Sequence, residues 1–182
     1  MKTSISFETK EFNKYIKKFV KKSSLSTEIV IKKMAFDLLA MILTGLPTAA
    51  RKTKGGMTAG FTIPSGTAAT RRHPILTGRA RAGWYASVNG IDGRFDFNSD
   101  IDPKINDVPR GKKEGDFKNH LKHPHNKYVD LINAVNYIIF LEYGYSKQAP
   151  AGMVRVSMRK MRGELPKYLN QAFVDDWNKF KL

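Results

Sequence analysis

Four histidines and a scatter of carboxylates are the residues of this chain that could carry chemistry. His120, His123 and His125 have metal-ligand spacing. No cysteine supports them, Pro124 interrupts any helix, and no carboxylate lies between Phe117 and Tyr128, so the cluster reads as a solvated loop. Asp92, Asp96, Asp100 and Asp102 are spaced as calcium would like, without the glycine placement of an EF-hand loop. No Ser/His/Asp set stands in a nucleophile-elbow context, and Gly55-Gly56 is not followed by the Gly-Lys-Ser/Thr of a phosphate cradle. Glu142 has no second acid beside it to make a nuclease pair. The expectation is a chain that is not an enzyme and takes no metal or other cofactor.

Charge is the stronger signal. Among 182 residues, 32 Lys and Arg face 16 Asp and Glu, a formal net charge of +16. Such an excess favours polyanions, acidic protein surfaces or anionic membranes and gives non-specific nucleic-acid affinity almost automatically. Arg51, Lys52, Lys54, Arg71 and Arg72 form a candidate arm for DNA or a partner. Two readings follow, a basic nucleic-acid-binding protein and a basic surface with no dedicated site; a nuclease or toxin is a third. The absence of cysteine leaves the redox compartment open. Met1 to Lys22 is too polar for a signal peptide, and the longest apolar run, Met34 to Leu46, is interrupted by Asp37 and Thr44 and falls short of a bilayer span. A soluble single domain over 1–182 with no membrane partner is expected.

Stepping along the chain, Phe12, Tyr15, Ile16 and Phe19 have helical spacing among lysines. Ser23-Ser24-Leu25-Ser26 reads as a break, with Ser26 an N-cap for a second helix over Thr27 to Thr44 whose apolar face broadens after Met34. Gly45 and Pro47 end it. Residues 48–73 read as a long loop with one short strand at Phe61-Thr62-Ile63, and residues 91–125 as a second loop or insertion. Trp84 to Val88 predicts a strand; Tyr128, Leu131, Ile132 and Val135 predict a helical face; Tyr137 to Tyr143 predicts an internal strand. Past Gly152, Val154, Val156 and Met158 alternate like a strand while Val154, Met158 and Met161 line a helix, and we read helix. Gly163 and Pro166 break it before a last helix through Tyr168, Leu169, Phe173 and Trp177. The sum is an α+β fold: N-terminal helices, a small mixed β-sheet, C-terminal helices and two long loops.

Two motifs remain. In the first, Pro74, Thr77, Gly78, Arg79, Arg81 and Trp84, the Thr-Gly pair suits a turn, and the two arginines alternate as on a strand edge, offering guanidinium forks to one side. In the second, Tyr137 and its apolar run end in Glu142 and Gly144. A turn with Ser146, Lys147, Gln148, Ala149, Pro150 and Gly152 follows, then Met153 and Arg155. Glu142 is placed to accept from Arg79 or Arg81 and so tie the motifs together.

In this order the two motifs resemble the tail-completion or neck (head–tail joining) proteins of long-tailed bacteriophages. Leu76 stands where that family has an acidic residue. The resemblance implies a virion structural protein, made in the host cytoplasm, that completes the tail or neck and joins it to the head. It implies a homo-oligomeric ring, six copies or twelve, around the DNA path. Other neck and tail proteins (connector, terminator or tail tube) would be its partners, with DNA in the channel. It also implies that Thr77, Gly78, Arg79, Arg81, Trp84, Glu142, Gly144, Lys147, Gln148, Pro150, Met153 and Arg155 are the motif or subunit-contact residues.

Overall fold

From Thr9 to Thr44 the chain holds neither glycine nor proline. The computed structural model, which describes residues 9–45, 61–62, 73–124, 126–163 and 174, makes this whole stretch one helix, α1 (Thr9–Thr44). The break expected at Ser23 to Ser26 is therefore corrected. A serine costs a helix only about 0.5 kcal/mol, far less than the proline or glycine that would stop it. The broadening after Met34 holds: Ala35, Phe36, Leu39, Ala40, Met41, Ile42 and Leu43 are all buried, so this end runs through the core. Gly45, at φ 80°, closes it by donating to the Met41 carbonyl at 3.0 Å. Pro47 lies outside the described residues.

The rest of the core wraps that end of α1. Phe36, Leu39, Ile42 and Leu43 share one cluster with Ala82, Trp84, Val88, Ile91, Phe97, Ile101, Val108 and Met153. Two short helices, α2 (Arg79–Ala82) and α3 (Tyr85–Gly90), supply its second side. The strand expected at Trp84 to Val88 is thus a helix. Its buried residues Trp84, Ser87, Val88 and Ile91 fall at the spacing of one helical face, a period that the β propensity of Trp, Tyr and Val obscured.

Residues 91–125, expected to be an irregular insertion, are corrected too. Phe61 and Thr62 form β1, as expected of that segment, and β1 (Phe61–Thr62) pairs in parallel with β2 (Gly93–Arg94). A 3-10 turn (Pro103–Ile105), α4 (Val108–Gly111) and β3 (Gly115–Asn119) follow. The polar residues mistaken for solvated linker build the backbone turns. The side chains of Asp96, Asp102, Asn106 and Asn119 accept from the N–H two residues on, at Asn98, Lys104, Val108 and Leu121, within 3.0 Å.

β4 (Val129–Asn133) returns antiparallel to β3, with Phe117 opposite Leu131. The helical face expected over Tyr128 to Val135 is therefore a strand; four apolar residues fit either period in so short a window. Tyr137 to Tyr143 is not a strand but α5 (Ile138–Glu142). Residues 154–163 are helical, as read, and form α6. Of the last expected helix only Val174 is described, and it is helical. The architecture is the expected α+β arrangement, with its strand content divided between a parallel and an antiparallel pair.

One side chain fastens the hairpin to the helices. Ser87 on α3 is fully buried; its hydroxyl donates to the Asp116 carbonyl at 3.1 Å and accepts from the Ile132 N–H at 3.2 Å, bridging β3 and β4. Ser87→Ala leaves a strand donor and a strand acceptor without this partner. It should lower the unfolding free energy by about 1–3 kcal/mol in urea denaturation. A loss under a few tenths would show that the bridge is dispensable.

Candidate functional site

The two motifs meet, by a different route from the one expected. Arg79 and Arg81 sit on a helix, not a strand edge, and neither reaches Glu142. Arg79 forks onto Glu114, with Nε 2.7 Å from Oε2 and Nη2 on the other oxygen, and it lies over the Tyr137 ring at 5.5 Å. The Arg79 hydrogen bond holds the Glu114 carboxyl below the usual carboxylate range. Arg81 is buried: its Nη2 donates to the carbonyls of Phe97 at 2.7 Å and Ser99 at 2.6 Å, and its guanidinium lies over the Phe95 ring.

Glu142 turns instead to the second motif. Its Oε2 accepts from the backbone N–H of Met153 at 2.9 Å and Val154 at 2.8 Å, and its Oε1 from that of Arg155 at 2.8 Å. These are the orphan donors that open α6. Arg155 reaches back, Nη2 to the Glu142 carbonyl at 2.7 Å and Nε to Oε1 at 3.2 Å. Burial opposes ionisation of this carboxyl, but the three N–H groups and Arg155 outweigh it and hold it below its ordinary value.

The intervening loop is shaped by its glycines. Gly144, at φ 91°, ends α5 in a Schellman closure: Tyr145 N–H donates to the Phe140 carbonyl at 3.1 Å and Gly144 N–H to that of Leu141 at 3.3 Å. The Phe140 and Tyr145 rings pack edge to face at 5.7 Å, the apolar contact that accompanies this motif. Gly152, at φ 78°, allows the close approach, since a Cβ there would strike Glu142. Gln148 then docks the loop on the first motif, accepting from Ile75 N–H at 2.7 Å and donating to its carbonyl at 3.4 Å.

Between the motifs lies a crevice of about 640 Å³ lined by Thr77, Arg79, Asp107, Tyr137, Tyr145 and Lys147, among others. Gly78, at φ 75°, turns the chain into α2 under it; a Cβ there would overlap Ile101 and Val108. Burial raises the Tyr137 pKa.

Behind the crevice, Trp84 Nε1 donates to Nε2 of fully buried His73 at 3.2 Å, and His73 Nδ1 lies 3.2 Å from the Pro74 carbonyl. Only a neutral imidazole with its proton on Nδ1 satisfies both. Burial, seconded by the Arg81 charge, lowers its pKa from 6.5 to about 4.

Of the expected motif residues, Met153 is buried in the core, Lys147 and Pro150 are exposed on the loop, and the others are engaged as described. The arm residues Arg51, Lys52, Lys54, Arg71 and Arg72 lie outside the described residues. His120 stacks on Tyr128 at 4.3 Å, and no group of three metal-binding side chains gathers among the described residues. Sequence reasoning missed Glu114, His73 and Ser87. On the second motif itself stands an exposed ridge of Ile139, Phe140, Tyr143 and Tyr145, the last 80% accessible. Comparison with known protein families, curated proteins and solved structures gives no match.

Two outcomes follow from this geometry. Glu142→Ala exposes three helix-opening donors and the Arg155 charge to replacement by water, and should cost about 2–3 kcal/mol in stability, with proteolysis appearing first between Tyr145 and Gly152. Equal protection of that loop in the variant would contradict the cap. For His73, the folded pKa lies below the unfolded one, so the unfolded chain binds the extra proton. Stability is complete above about pH 6.5 and falls as pH drops toward 4, by up to about 3 kcal/mol. Urea titrations at neutral and acid pH should show that loss, and His73→Gln should flatten it; an unchanged slope in the variant would place the acid sensitivity elsewhere.

Proposed function

We propose that this chain is a structural subunit of the head–tail junction of a long-tailed phage, completing the tail or neck as a ring around the DNA path. Its partners are further copies of itself and neighbouring neck and tail proteins, and its work is mechanical, with no bond made or broken. One observation carries the reading. The two motifs that resemble the neck proteins are joined through Gln148 and Ile75, and the second displays an aromatic ridge exposed among the described residues of a strongly basic chain. Exposed apolar clusters of this kind mark protein contact surfaces, and Tyr, Phe, Met and Arg are the residues enriched there.

Heads and tails made without this chain provide the test. Purified protein added to them should restore joined, infectious particles and co-sediment with them. Phe140→Asp with Tyr145→Asp should cut joining by about thirtyfold, as loss of a contact hot spot does, while secondary structure is retained. Protein that neither sediments with heads or tails nor restores joining would overturn the proposal.

A further inference from the structure

The ridge is cationic as well as apolar. Across residues 137–163 five exposed cations, Lys147, Arg155, Arg159, Lys160 and Arg162, stand against one acid, Glu142. That acid is partly buried and fully engaged, accepting from three α6 N–H groups and from Arg155. Arg155 is thereby balanced, and it lays its guanidinium over the Tyr143 ring at 4.7 Å. Lys147, Arg159, Lys160 and Arg162 have no ion-pair partner among the described residues. Arg155, Arg159 and Arg162 fall on one face of α6, at i, i+4 and i+7, a stripe about 10 Å long. Exposed Met158 lies beside it, and the Arg155–Tyr143 contact joins the stripe to the ridge. The surface is apolar at its centre and basic along one edge.

The chemistry of what covers it follows from that pattern. A net charge of +16 sets two copies of this chain against each other, and ridge on ridge would add to the repulsion. Nucleic acid would satisfy the arginines but not the centre. Stacked bases need free aromatic faces in succession. Here Tyr143 gives one face to Arg155, Phe140 and Tyr145 stand nearly perpendicular at 86°, and Ile139 and Met158 offer no ring at all. Carboxylates fit the arginine forks equally well, and apolar side chains between them fit the centre.

We propose that the ridge and the arginine stripe of α6 together seat an acidic, amphipathic segment of a different protein. Its apolar side chains cover Ile139, Phe140 and Met158, and its carboxylates meet Arg159 and Arg162. The inference rests on the reading of the ridge as a contact surface of the junction, and it names the chemistry of the neighbour that docks there.

Fluorescence anisotropy tests this with a labelled copolymer of glutamate and tyrosine, polyglutamate of equal length for charge alone, and oligothymidylate for nucleic acid. The purified chain should bind the copolymer about tenfold more tightly than polyglutamate. Arg159→Glu with Arg162→Glu should weaken copolymer binding about thirtyfold. Lys113→Glu with Lys122→Glu, an equal change of net charge at exposed sites outside the ridge and α6, should weaken it no more than about threefold. Ile139→Ser with Met158→Ser should bring the copolymer down to the polyglutamate level, with the circular dichroism spectrum unchanged. Equal losses from the two charge swaps would make the attraction diffuse and overturn the site. Oligothymidylate bound as tightly as the copolymer, and released by the Arg159 and Arg162 changes, would assign the face to nucleic acid. Self-association in light scattering that the same pair abolishes would assign it to a second copy. Full joining of heads to tails by a chain carrying Arg159→Glu and Arg162→Glu would end this inference and keep the function. Copolymer binding through these residues by a chain that never enters particles would do the reverse.

Discussion

A single carboxylate decides the shape of the second motif. The first turn of α6 brings backbone N–H groups that the helix itself cannot satisfy, and Glu142, at the end of α5, accepts three of them. That fixes the distance between two helix ends, so the residues between can only make a tight excursion. Gly144 and Gly152 supply the left-handed turns this excursion needs, and Arg155 closes it over the Glu142 carbonyl. Once the ends are fixed, the loop presents Gln148 to Ile75 with both halves of its amide engaged, and the second motif becomes a lid on the first.

Under that lid the packing is more polar than a small core normally tolerates. Arg81 is a buried charge, stabilised by two carbonyls and an aromatic face, and its presence beside His73 makes a second buried cation unfavourable. The neutral imidazole that results has a free lone pair on Nε2, and the Trp84 indole takes it. Burial thus selects a charge state, the charge state selects a tautomer, and the tautomer orients the tryptophan that packs against α1. Polar groups satisfied in this way add little net stability, but they leave few alternative arrangements of equal energy.

Much of this was legible in the residues, although not the secondary structure that carries it. Gly45 as a helix end, the burial of α1 after Met34 and the short strand at Phe61 follow from local rules that tertiary context leaves alone. The motifs were recognisable as a pair, yet Glu142-Tyr143-Gly144 was read as a strand exit when it is a Schellman closure. A short apolar run with a glycine just beyond its end is compatible with either. The partner of Arg79 was invisible because Glu114 lies in a stretch whose Asp and Asn content suggested solvent. Four of those same residues, Asp96, Asp102, Asn106 and Asn119, help to fold it, accepting from the backbone N–H two positions on. No one-dimensional pattern signals the His73–Trp84 pair, since both gain their roles from a crossing of chain segments.

The exposed ridge is a consequence of the carboxylate cap. α5 is five residues long and apolar at all but its last position, Glu142; Ile138 and Leu141 pack toward the core, which leaves Ile139, Phe140 and then Tyr143 facing outward. A longer helix or an unpinned loop could fold these residues inward, but the cap fixes the exit direction and the Schellman closure pairs Phe140 with Tyr145 on the surface. The chain therefore holds an apolar surface that is exposed among the described residues. In a protein whose net charge resists self-association, such a surface is retained at a cost in solubility. That cost is offset where a partner covers the surface, as the assembly proposed above requires.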